Sequence, residues 1–270
     1  MNAACAYSGS GSRPPSLRLL RRVVWIVSLV ALLATTESAV AAARGSDGTD
    51  SPLAKVSIGL KLGGVFAQHT GTEERDSEYT VESDWRMGFS GGVFVHWPIT
   101  DRFGIQQELI YAQKGSSQRI GVTILDLPTT LDVTYETDYV ELPILMRFTW
   151  LHSSSGNIYS LMGTALSLKI SDRYSLRGVL DDGEQVVPIS ADSDMSEVEI
   201  FDYSFVYGLG CEFDAAGTSL LAEYRFSIGW NQLMMPTYAY VPFGDEQIPI
   251  ENEPVPLKNQ THSLMLGVRF

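Results

Sequence analysis

The chain is poor in cysteine, in positive charge and in long apolar runs, and each shortage removes a class of protein. Two cysteines among 270 residues, Cys5 and Cys211, exclude a disulfide scaffold, and processing that removes Cys5 leaves no intramolecular pair. Nineteen Lys and Arg stand against 32 Asp and Glu, for a net charge of -13, which argues against nucleic acid as a partner. The one sustained apolar stretch, Val23 to Leu33, excludes a bundle of membrane helices. Hydrophobic residues nevertheless make up 44% of the chain, too many for a disordered tail.

What is present begins with an address. Arg13, Arg18, Arg21 and Arg22 precede the apolar run, and Ala39, Val40 and Ala41 follow it. A basic region, an apolar region of this length and an Ala-x-Ala site together predict a secretory signal peptide over 1–41. A short periplasmic leader is expected over 42–53 and a single barrel domain over 54–270. Removing the signal deletes four arginines and one acid, Glu37, so the mature chain carries -16.

Beyond the leader the period is two, with no competing amphipathic helix. Val56, Ile58, Leu60, Leu62 and Phe66 alternate with Lys55, Ser57, Gly59, Lys61 and Gly63, which describes a strand with one apolar and one polar face. Seven more segments follow the same rule: Trp85 to Trp97, Phe103 to Gly115, Val140 to Trp150, Ile158 to Ser171, Asp202 to Phe213, Leu220 to Trp230 and Ser263 to Phe270. The fifth, Ile158 to Ser171, has the weakest pattern. Connections alternate as well. Short turns at 98–102, 151–157 and 214–218 take turns with long links at 69–84, 116–137, 172–200 and 231–261. That asymmetry predicts an eight-stranded antiparallel up-and-down transmembrane β-barrel, with short turns facing the periplasm and long loops facing outward.

Volume decides which face points in. The interior of an eight-stranded barrel is only wide enough for its side chains. Trp85, Trp97, Tyr111, Trp150, Tyr203, Phe205, Tyr207, Phe213, Tyr224, Phe226 and Trp230 would not all fit there, so the apolar face is expected to meet lipid. Trp85, Trp97, Phe103, Trp150, Phe213, Trp230 and Phe270 lie near strand ends and suit two interfacial girdles. The polar face interleaves glycines with charges. Lys61, Arg86, Arg147, Arg225 and Arg269 are expected to meet Glu108, Glu141, Glu212 and Glu223 across a largely plugged lumen, because charges removed from water must be paired. The alternative is a soluble periplasmic barrel whose apolar face encloses a hydrophobic ligand.

Several phrases resemble the PorT-like outer-membrane beta-barrel family, small porin-like proteins of OmpA/OmpX architecture. They are GFSGGVFVHWPITDRFGIQQELIYAQKGS from Gly88, YVELPILMRF from Tyr139, FVYGLGCEF from Phe205, LLAEYRFSIG from Leu220 and LMLGVRF from Leu264. The matched motifs are Glu108 to Tyr111, Glu141-Leu142-Pro143 and the final aromatic Phe270. The resemblance implies a bacterial outer-membrane location, contact with the lipid bilayer and reading of Phe270 by the outer-membrane assembly machinery. It also raises an accessory role in secretion or gliding.

Chemistry is harder to find. His69, His96, His152 and His262 form no spaced pair and show no evident nucleophile with an orienting carboxylate, so no catalytic residue is expected. Acid clusters between 69 and 84 and between 172 and 200 lack the spacing of a calcium loop and read as solvated surface. No metal and no cofactor are expected. The stretch Pro236 to Pro256 reads as an extended outer loop. The sequence thus predicts a monomer with a non-enzymatic role in envelope structure or surface interaction, with limited passage of small solutes as a lesser possibility. The four long links over 69–84, 117–136, 172–200 and 231–261 hold 21 acids against five bases, so the barrel proper is near neutral beneath an acidic rim.

Overall fold

Alternation at period two produces the predicted ring. The computed structural model describes residues 56–71, 80–124, 127–181, 186–193, 200–215, 218–231, 233–243 and 246–270, so the signal peptide, the whole leader and Lys55 lie outside the described residues. Eleven strands form: β1 Ser57–Gly71, β2 Thr80–Asp84, β3 Arg86–Pro98, β4 Phe103–Ile124, β5 Leu127–Ser153, β6 Gly156–Asp181, β7 Val186–Ser193, β8 Phe201–Ala215, β9 Thr218–Gly229, β10 Leu233–Phe243 and β11 Glu246–Arg269. Eight of them, in the order β1-β3-β4-β5-β6-β8-β9-β11, pair with their neighbours, and β1 pairs with β11 to close the ring. Every pairing is antiparallel, and closure runs from Gly59 opposite Arg269 to Gly71 opposite Leu257.

The apolar face points outward. Leu62, Tyr207, Leu209 and Leu264 each expose close to 60% of their surface, while Lys61, Glu108, Glu223 and Arg225, one position away in phase, are buried. A soluble barrel with an apolar interior is thereby excluded. Aromatics mark both ends of this belt. Phe103, Phe148, Trp150, Phe213 and Phe270 stand at the short-turn end, and Phe66, Trp85, Tyr203 and Trp230 at the other.

Two expectations require correction. The long links are largely strand: β4 and β5 remain paired from Phe103 opposite Phe148 out to Ile124 opposite Leu127, and β6 continues to Asp181 with β7 along its edge. Likewise β10 and the first half of β11 make a hairpin, bulged between Met235 and Thr237, where an extended loop was expected over Pro236 to Pro256. Beyond the belt the outward face turns polar, as at Asp132, Thr134 and Glu136, while Leu131, Val133 and Tyr135 stay buried inward, so the apolar alternation that identifies a lipid-facing strand ends while backbone pairing continues. β-Branched residues such as Thr130, Val133 and Thr134 still favour it.

The second correction concerns the lumen, which is not wholly polar. Phe94, Leu145, Tyr159, Leu161, Ala165, Val206 and Leu221 form a buried apolar cluster within it. Tyr159, Leu161 and Ala165 face inward along β6, which explains why that segment showed the weakest alternation. Glycine makes the room: a Cβ on Gly59 would lie 2.3 Å from the Phe94 ring, and one on Gly210 2.4 Å from the Tyr159 ring.

Candidate functional site in the lumen

Inward positions on three strands converge at mid-lumen. Lys61 on β1 lies 2.9 Å from Glu108 on β4 and 2.7 Å from Glu223 on β9, and Arg225 lies 2.6 Å from Glu108 and 2.5 Å from Glu223. All four are buried, so two acids and two bases cancel. The remaining lone pairs are also used: Tyr159 donates to Glu223 at 2.7 Å and Gln106 to Glu108 at 2.5 Å. The Lys61 ammonium also sits 4.4 Å from the centre of the Phe94 ring. A square of opposite charges spanning strands far apart in sequence ties one wall of the barrel to the other.

A second group occupies the short-turn end. Glu212 on β8 pairs with both Arg147 on β5 and Arg269 on β11, and Arg147 stacks 3.6 Å over the Tyr159 ring. Toward the opposite end Lys114 meets Glu141 at 2.5 Å, and Ser167 donates to the same carboxylate at 2.9 Å. Arg86 is the outermost of the charges singled out from sequence. Its partner is Glu136 at 2.9 Å, a residue expected in a loop but placed beside it by the extension of β5. The structure thus brings Lys61, Glu108, Glu223 and Arg225 into one cluster and Arg147, Glu212 and Arg269 into another, while Glu141 and Arg86 stand in separate pairs. Phe270, at the short-turn end, donates its backbone N–H to Ile58 and is exposed on the lipid side.

Sequence reasoning missed one further group. Ser116 Oγ lies 2.7 Å from His69 Nδ1, and Asn259, facing His69 in register, hydrogen bonds the imidazole and donates to Asp202 at 2.8 Å. A hydroxyl beside an imidazole is the start of a nucleophile arrangement. Ser116, however, has no exposed surface to offer a substrate. The register between Gly115 and Glu136 that seats Ser116 here needs glycine: Gly115 has φ +139°, and a Cβ there would lie 1.9 Å from the Tyr135 carbonyl oxygen. No spacing in the sequence announces residues 69, 116 and 259 as neighbours. Among the described residues no cluster of three metal-ligating side chains occurs.

A closed antiparallel ring with an outward apolar belt, two aromatic girdles and paired charges inside defines an integral β-barrel of the bacterial outer membrane, in contact with the lipid bilayer. The chain belongs to the outer membrane protein beta-barrel domain family, whose model matches residues 44–234. Comparison with curated protein sequences found no match. Among solved structures it is similar to Ail of Yersinia pestis, with 15% identity, a TM-score of 0.32 and coverage of 80% of this chain and 100% of that one. It is also similar to OprG of Pseudomonas aeruginosa (8% identity, TM-score 0.41, 82% and 99% coverage) and to the outer membrane protease OmpT of Escherichia coli (6%, 0.37, 80% and 95%). Likenesses at this identity and TM-score carry no argument about activity, which rests on the site itself.

Proposed function

We propose that this protein is a monomeric, non-enzymatic component of the outer membrane, a PorT-like barrel whose lumen is plugged and whose working surface is its acidic outer rim. The observation that carries the reading is the wall-to-wall square of Lys61, Glu108, Glu223 and Arg225, reinforced by Arg147, Glu212 and Arg269. Charges so placed stiffen a narrow barrel, and a solute could pass only by separating them. Aqueous channels use wider rings, commonly 16–18 strands. Phe270 closes the last strand and serves as the signal for the assembly machinery. The signal peptide over 1–41 and the leader over 42–53 belong to the same reading of an exported chain.

The test is electrical. Purified barrel reconstituted in planar bilayers is expected to give no large, stable conductance, and a steady open channel would refute the plugged lumen.

A further inference from the structure

The outward face carries a second feature, where the apolar belt ends on the β1–β11 seam. Reading up the paired strands, Leu62 faces Leu266, Phe66 faces His262, Gln68 faces Gln260 and Thr70 faces Lys258. The chemistry changes within two register steps from aliphatic to aromatic and then to polar. His262 is surrounded there: its ring centre lies 5.0 Å from that of Trp85, 5.1 Å from Phe226 and 5.9 Å from Tyr224, whose hydroxyl is 2.6 Å from His262 Nδ1. Just beyond, Gln68 donates to Gln260 at 3.4 Å, and Lys258 follows at the next outward position. Below the platform the belt is notched. Gly64 faces outward between Leu62 and Phe66, and a Cβ there would meet nothing within 4 Å.

We propose that this seam is a seat for a single lipid of the outward leaflet bearing a phosphate monoester. Lys258 and His262 receive the phosphate, the two glutamines its ester oxygens, the aromatic platform the glycerol or sugar, and the Gly64 notch the upper part of an acyl chain. Two observations favour a lipid over any other occupant. The seat is continuous with the face already in contact with the bilayer, at the depth where headgroups lie. Its charge also contrasts with its surroundings, because the long links hold 21 acids against five bases and Lys258 is one of those five. An anionic headgroup repelled elsewhere along the rim finds cationic and aromatic partners here. The inference does not rest on the lumen being plugged, so a conducting barrel would leave it standing.

The experiment uses the folded barrel in phosphatidylcholine nanodiscs with a minor fraction of phosphatidic acid, followed by detergent extraction and mass measurement of retained lipid. Wild-type protein is expected to retain phosphatidic acid in preference to phosphatidylcholine. Lys258→Gln should lower that retention about fivefold, the factor corresponding to one cation near a charged headgroup, and His262→Ala, which removes a ring hydrogen bond and the centre of the aromatic platform, should lower it as well. Gly64→Leu, which fills the notch while leaving both headgroup ligands in place, should weaken retention of either lipid. Heat-modifiable migration on a gel confirms that each variant is folded before it is scored. Equal retention of the two lipids by wild type, retention unchanged in Lys258→Gln and His262→Ala, or displacement of the lipid by inorganic phosphate alone would overturn the proposal.

Discussion

Glu223 accepts from three side chains at once, Lys61, Arg225 and Tyr159, inside a lumen that lipid surrounds. Its substitution therefore does more than delete a contact. Glu223→Gln leaves Lys61 and Arg225 with Glu108 alone, one uncompensated positive charge in a buried site, and should destabilise the barrel by about 3–5 kcal/mol. Urea unfolding in lipid vesicles reads this, and adding Lys61→Met should recover part of the loss by restoring neutrality. An unchanged midpoint in Glu223→Gln would deny the network a structural role.

Strands show where close approach, rather than periodicity, sets the allowed residue. Gly63 and Gly64 are adjacent on β1 but face opposite ways. A Cβ on Gly63 would sit 2.0 Å from the Leu264 carbonyl oxygen on β11, a backbone atom that cannot swing aside, whereas one on Gly64 would meet open space. Gly63→Ala is expected to abolish the heat-modifiable form and Gly64→Ala to leave it intact; the reverse order would mean that β1 and β11 pair in another register. This pair also marks the limit of what the sequence disclosed. The eight segments and the outward direction of their apolar faces were legible, because lipid on one side imposes alternation that residues such as Leu60, Leu62, Tyr207 and Leu209 repeat. Strand ends were not. Past Gly115 and before Thr137 the sense of the alternation reverses, with Leu131, Val133 and Tyr135 buried inward and Asp132, Thr134 and Glu136 on the other face, so the lipid-facing signature is missing and the paired run to Ile124 and back from Leu127 looked like a loop. Nor could parity assign partners: it put Arg86 in the lumen, but the stagger of β4 against β5 is what delivers Glu136 to it. Phe94 and Leu145 escaped notice for a related reason, since an inward apolar residue is tolerated wherever a glycine such as Gly59 leaves it space.

At the scale of the whole molecule, closure determines whether there is a folded state at all. In lipid every backbone N–H and C=O must be paired within the protein, and each one left bare costs several kcal/mol. The seam from Gly59 opposite Arg269 to Gly71 opposite Leu257 is what removes the two edges. Deleting 263–270 would open β1 and β9 together along the lipid-embedded part of that seam, and no neighbouring strand could bridge the gap. The rim is different. Residues 233–257 form a hairpin that pairs β10 with the outer half of β11, while the ring itself is carried by β9 against β11 from Ile228 opposite Gln260 inward. Joining 232 to 258 would shorten the connection to a tight turn and leave every ring pairing from Gln260 inward in place. Two truncations of unequal length should therefore behave in inverse proportion to their size: loss of the last eight residues eliminates the heat-modifiable barrel, whereas loss of the 25-residue hairpin preserves it. Gel migration of refolded protein with and without boiling distinguishes the two. Survival of the short truncation as a compact species would show that ring closure through β11 is not what holds the barrel together.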